Sequence, residues 1–142
     1  MVVDTSTIIS FGVLATVLVV MKVMPRLMAG VPFVGCSDLR AKIDQGEPLL
    51  VIDVRSEGEF TGPSGHIAGA LNLPLGEIKE RLGAAASGLE PYKHTPVYVM
   101  CHAANRSPYG ARALKKAGFT NVNVVKGGMS GWLRLGFPAT RR

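Results

Sequence analysis

The chain is short of cysteine: among its 142 residues only Cys36 and Cys101 occur, with three histidines and one tryptophan. Two cysteines do not make a disulfide framework. Neither they nor the histidines fall at metal-ligand spacing, so no metal site is expected, and no cofactor. No segment repeats another, which excludes a tandem architecture. The basic residues are scattered and no aromatics interleave with them, which argues against nucleic acid as a partner. The remaining scarcity is local, because no charged residue stands between Thr5 and Met21.

That gap in charge holds the run "TIISFGVLATVLVVMKVM", interrupted only by Lys22, whose stem can snorkel to an interface. Thr5 to Met24 gives about 20 residues and, at about 1.5 Å each, roughly 30 Å of helix, the hydrocarbon thickness of a bilayer. A cleaved signal peptide is the alternative. It would carry a positive n-region, whereas Asp4 and no Lys or Arg precede this run, and no small-x-small cleavage site follows it. A core helix would show a polar stripe, and there is none before Lys22. The expectation is a single-pass anchor with its lipid-facing run in the membrane. Lys22, Arg26, Arg40 and Lys42 follow it, which places the C-terminal part in the cytoplasm. The chain divides into residues 1–30, the anchor and the start of a linker, and residues 31–142, a folded domain; "MPRLMAGVPFVG", Met24 to Gly35, with two prolines and two glycines, reads as the linker. Beyond residue 30 it holds 14 Lys and Arg against 9 Asp and Glu. That moderate excess suits small anionic substrates or an anionic lipid surface.

Within the domain, apolar runs alternate with helical patterns. "DLRAKIDQ" reads as a short helix capped by Ser37 and ended by Gly46, and "LLVIDV" as a strand buried on both faces. "SEGEF" makes one helical turn, Ala70 to Leu73 a short strand, and "LGEIKERLGAA" a helix facing inward through Leu75, Ile78 and Leu82. "TPVYVM" and "NVNVV" are further strands, each followed by a helical stretch, "SPYGARALKKAGF" and "GGMSGWLRLGF". This order gives an α/β domain with a central, mainly parallel sheet flanked by helices. Functional groups in such sheets collect at the carboxyl ends of the strands.

Cys101 ends one of those strands. Ser107 reads as the N-cap of the next helix and Pro108 as its first residue. The helix then points its positive end at the loop between them. His102, Ala103, Ala104, Asn105 and Arg106 are short or polar enough for the backbone to curl, so that the amides form an anion-binding concavity. A cysteine at its centre is expected to be a reactive thiolate, and the same cradle suits a covalent intermediate on sulfur. These features do not identify the reaction, and a lone cysteine closing a strand is commonly just core.

Four stretches in order, "VIDVRSEGEF", "GHIAGALNLP", "VYVMCHAANRS" and "GGMSGW", resemble the single-domain rhodaneses, sulfurtransferases that act on thiosulfate or persulfides. The resemblance runs from about Cys36 to Ala139. It implies a rhodanese-like fold, with Cys101 as the catalytic nucleophile that takes sulfane sulfur from thiosulfate or a persulfide and passes it to a thiol or protein acceptor. Residues 102–106 would bind the donor, Arg106 holding its negative charge. His102 departs from the larger cationic residue that many members carry. The spacing here is C-x4-R, whereas cysteine phosphatases use C-x5-R with a wider cradle, so the loop favours a sulfur atom over a phosphoryl group.

Two other functions share these features: a phosphatase or arsenate reductase of the same fold, and a membrane-tethered persulfide carrier or interaction module. Asp53, Arg55 and His66 read as scaffold, Arg55 pairing with Glu59. Gly127 and Gly128 read as a turn needing positive φ, and Trp132 as core.

Overall fold

The computed structural model describes residues 4–83 and 88–142 and, over residues 25–29, the backbone alone. A long helix, α1 (Thr5–Ala29), leads into β1 (Phe33–Gly35), α2 (Cys36–Asp44), β2 (Leu50–Asp53), α3 (Glu57–Phe60) and β3 (Leu71–Asn72). Then come α4 (Ile78–Gly83), β4 (Val97–Met100), α5 (Ser107–Lys116), β5 (Val122–Lys126) and α6 (Gly128–Arg134). The five strands form one sheet in the order β1-β5-β4-β2-β3, and every neighbouring pair is parallel. The expected α/β sheet is therefore present.

Both faces of the sheet are covered, and for that reason the strands read as unbroken apolar runs rather than alternating ones. Along β4, Val97 and Val99 face one core with Ile52, Val54, Ile78, Ala111 and Leu114, under α4 and α5. Tyr98 and Met100 face the other, with Leu39, Val51, Met129 and Trp132, under α2 and α6. β4 lies between β2 and β5, so the residue that follows it, Cys101, leaves the carboxyl edge at the middle of the sheet.

Three segments differ from the sequence reading. Helix α2 begins at Cys36 with Gly35 at its N-cap, so Ser37 lies inside the helix instead of capping it. The region expected as a linker from Met24 is helical to Ala29, and its end, Phe33–Gly35, adds an edge strand beside β5. Parallel register supplies the partners, Phe33 opposite Val124 and Gly35 opposite Lys126, that two prolines and two glycines gave no reason to expect. The helix expected over Leu75–Ala85 spans Ile78–Gly83, and residues 84–85 of it lie outside the described residues.

A buried ion pair organises the carboxyl edge. Arg55 and Asp53 are each 1% exposed, with Nη2 donating to Oδ2 at 2.7 Å and Nε donating to the same carboxylate. Arg55 also donates to the Gly65 and Glu59 carbonyls and to Ser64 Oγ, and so holds α3 and the 64–65 turn against β2. The expected Arg55–Glu59 partnership is thus limited to the Glu59 backbone; the carboxylate of Glu59 goes elsewhere. His66 packs flat on Phe60, with ring centroids 3.5 Å apart, and its two nitrogens meet the carbonyls of Phe60 and Arg142. Arg55→Ala would leave the Asp53 carboxylate buried and unpaired, at a cost of about 3–5 kcal/mol. The expected result is a clearly lowered denaturation midpoint, and an unchanged midpoint would contradict the role given to the pair.

Candidate active site

Cys101 is fully buried at the end of β4, and α5 begins six residues later. Helix α5 starts at Ser107, one position earlier than expected, with Arg106 as the capping residue. The Ser107 hydroxyl is therefore not spent on a backbone cap. It lies 3.3 Å from the Cys101 sulfur, with both residues buried. A hydroxyl there can donate to a thiolate or accept from a thiol, and it stays within reach when the charge on sulfur changes. Sequence reasoning gave Ser107 only a capping role; the short loop that brings its side chain over the sulfur is legible only in three dimensions.

The loop is braced from the far side by α6. The amide of Met129 donates to the Cys101 carbonyl at 2.8 Å, and that of Ser130 donates to the His102 carbonyl at 2.9 Å. In a planar trans peptide the N–H points opposite to the C=O. The amides of His102 and Ala103 consequently face away from α6, the arrangement an amide cradle requires. Gly127 and Gly128 make the turn into α6 with φ of 84° and 58°, as expected. At Gly128 a Cβ would collide with the carbonyl oxygens of Cys101 and His102, so only glycine lets the helix approach the loop this closely.

Of the other expected site residues, His102, Ala103 and Asn105 are exposed and Ala104 is half-buried, together forming the rim of the loop. Ala104 has φ 64°, the one non-glycine residue with positive φ among those described. Arg106 turns to Glu59: its two terminal nitrogens donate to the two carboxylate oxygens, each at 2.8 Å. That carboxylate also accepts from the Ser56 amide while the Ser56 hydroxyl accepts from the Glu59 amide, a capping box on α3. Arg106 is raised above its ordinary value, chiefly by its hydrogen bonds to Glu59.

Cys36, the other thiol, opens α2 and packs in the core, its sulfur 3.4 Å from the Lys126 carbonyl. Burial pushes its pKa up, which keeps it a neutral, unreactive thiol. Among the described residues no cluster of His, Cys, Asp or Glu is arranged to hold a metal.

The sequence profile of the rhodanese-like domain matches residues 36–135. The chain belongs to this family. Curated relatives include the putative sulfur carrier protein YrkF of Bacillus subtilis, 33% identical over 73% of this chain and 52% of that protein. The chain spans less than two thirds of the length of such relatives. Among solved structures, the rhodanese-like domain of an Anabaena protein, Alr3790, is 26% identical with a TM-score of 0.64, over 78% of this chain and 80% of that one. Thiosulfate sulfurtransferase from Pseudomonas aeruginosa is 25% identical with a TM-score of 0.67, over 84% of this chain and 22% of that one. The rhodanese-like family includes sulfurtransferases and a putative sulfur carrier, and the chain is placed within it.

Two changes test the loop. Ala104→Gly removes the left-handed penalty and is expected to stabilise the domain by about 1 kcal/mol in thermal unfolding. The Glu59 carboxyl is lowered from 4.5 to about 2, chiefly by the hydrogen bonds from Arg106. A depressed acid stabilises the fold above its unfolded value and loses that contribution as pH falls, here between about pH 4.5 and 2. The contribution is modest because both partners are more than a third exposed. Glu59→Gln is expected to lower stability at pH 7 and to flatten its decline over that acid window, as read from denaturation midpoints across pH.

Proposed function

We propose that this chain is a membrane-anchored sulfurtransferase that carries sulfane sulfur on Cys101. The thiolate of Cys101 attacks the outer sulfur of thiosulfate, a new S–S bond forms, the donor's S–S bond breaks, and sulfite leaves with the bonding electron pair. An acceptor thiolate then attacks the outer sulfur of the Cys101 persulfide, and Cys101 departs as thiolate. A persulfide donor serves in the first step in the same way, with a thiolate as leaving group. No external oxidant or reductant is consumed in either step.

The observation that carries this reading is the buried Cys101 sulfur with the Ser107 hydroxyl at 3.3 Å, in a four-residue loop closed by Arg106, within a rhodanese-like domain. Ser107 steadies the anionic sulfur in both states. Residues 102–105 supply the backbone cradle, and Arg106, locked onto Glu59, adds positive charge while holding the loop's shape. A carrier that loads once and hands its sulfur to a particular protein is the second reading, supported by the similarity to a putative sulfur carrier.

The helix segment Thr5–Met24 has a mean hydropathy of 2.2 and none of it is buried within the protein. A long apolar helix whose side chains stay exposed suits lipid, so residues 1–30 form a retained single-pass anchor and residues 31–142 the domain on its cytoplasmic side.

Intact mass after thiosulfate treatment tests the chemistry. The expected result is a gain of one sulfur atom, reversed by cyanide, present in Cys36→Ser and absent in Cys101→Ser. Repeated turnover with small thiols supports an enzyme, while a single load passed only to protein favours the carrier. No gain with any sulfane donor, together with hydrolysis of an aryl phosphate or reduction of arsenate, would move the loop to oxyanion chemistry. Ser107→Ala is expected to slow sulfur loading by about tenfold, the loss of one hydrogen bond to a charged group. For the anchor, the full chain is expected to float with vesicles after alkaline carbonate washing, and release by carbonate would contradict it.

A further inference from the structure

Helix α5 lies alongside the second half of α1. At one end of this contact the Lys115 ammonium donates to the Gly30 carbonyl at 2.9 Å. At the other, Leu18, Met21 and Lys22 of α1 face Pro108, Tyr109 and loop residues 103–105 across a cavity of about 550 Å³. The two helices therefore run side by side in the same direction. From Leu18 to Gly30 is about 18 Å of helix, and α5 is about 15 Å long. The Cys101 loop, which precedes α5, thus sits at the end of the contact nearer the apolar run, and the exit toward β1 sits at the far end.

Lys22 is the first charge after that run and marks the headgroup boundary when Thr5–Met21 lies in hydrocarbon. Loop residues 103–105 share the cavity with Leu18, Met21 and Lys22, so this edge of the loop lies at that boundary. Tyr109, 54% exposed beside the same cavity, is a residue type suited to that boundary. The cavity is amphipathic in the same sense. Leu18 and Met21 make its α1 wall largely apolar, while Lys22 and Asn105 bring polar groups to it. Cys101 itself is buried beneath the rim and does not line the cavity. The cavity is thus placed to hold an acceptor's tail while its head reaches the loop.

We infer that the sulfur acceptor is an amphiphilic thiol drawn from the membrane, its apolar tail lying between α1 and α5 and its thiolate head held near Lys22. This rests on the sulfur-transfer and anchoring readings above. The thiolate attacks the outer sulfur of the Cys101 persulfide, a new S–S bond forms on the acceptor, the Cys101 S–S bond breaks, and Cys101 leaves as thiolate. The product is an alkyl persulfide that remains in the bilayer.

The test uses the full chain in phosphatidylcholine–phosphatidylglycerol vesicles, with Cys101 loaded from thiosulfate. Single-turnover discharge is followed with straight-chain alkanethiols of increasing length, with 2-mercaptoethanol and with cyanide. Long thiols also concentrate in the vesicles, so the comparison that decides is with Leu18→Trp and, independently, Met21→Trp, each of which fills the cavity at equal partitioning. The wild type is expected to gain about two- to fourfold in rate per added methylene over the first few. Both variants are expected to show a flatter dependence while cyanide discharge is unchanged. An identical chain-length dependence in wild type and variants would overturn the cavity's role, and so would discharge to a protein acceptor with no chain-length gain. Failure of Cys101 to take up sulfur at all would instead overturn the proposed chemistry, and a chain that does not stay with the vesicles would overturn the anchor.

Discussion

The ion pair between Asp53 and Arg55 is the constraint from which the carboxyl edge of the sheet is built. Both groups are withdrawn from water at the end of β2, and such a pair persists only if its remaining hydrogen-bonding capacity is met. Here it is met by backbone and side-chain groups from two separate stretches, at Glu59 and at Ser64–Gly65. Asn72 adds a third connection, donating to the carbonyls of Asp53 and Arg55 from the neighbouring strand. The pair contributes less as an attraction between charges than as a fixed node around which irregular segments have a single arrangement.

Glu59 carries that arrangement to the sulfur loop. Its backbone is held by Arg55, its amide by Ser56, and its carboxylate by both Ser56 and Arg106. The chain of contacts runs from a buried charge on β2, through one turn of helix, to the residue that closes the loop around Cys101. On the opposite side α6 holds the carbonyls of Cys101 and His102. The loop is thus clamped between a polar network and a helix terminus, which lets it keep Ala104 in a backbone conformation that alanine alone would avoid.

Much of this was legible in the sequence because local signals agreed. "LLVIDV" and "TPVYVM" read as doubly covered strands since both faces of a parallel sheet are dry, and the Cys101 loop was flagged by strand, turn and Ser-Pro in succession. The paired glycines at 127 and 128 also carried their meaning on their face. What was not legible depended on pairing at a distance. Local spacing pairs Glu59 with Arg55, four residues away, whereas its carboxylate meets Arg106, 47 residues on. Ser107 before Pro108 reads as a cap, since no local pattern shows that a side chain crosses a loop to a sulfur six residues back. Phe33–Gly35 looked like linker because the strand it pairs with lies near the other end of the chain.

The supports of the Cys101 loop come from both sides of it in the chain. Glu59 precedes it, but Met129, Ser130 and the central pairing with β5 follow it. On a ribosome the cysteine is therefore made well before its surroundings are complete. Until α6 is synthesised and docks, the Cys101 loop lacks its far-side brace and stays open. Closure of the loop is in this sense a late event, coupled to the completion of the domain rather than to the synthesis of the cysteine itself.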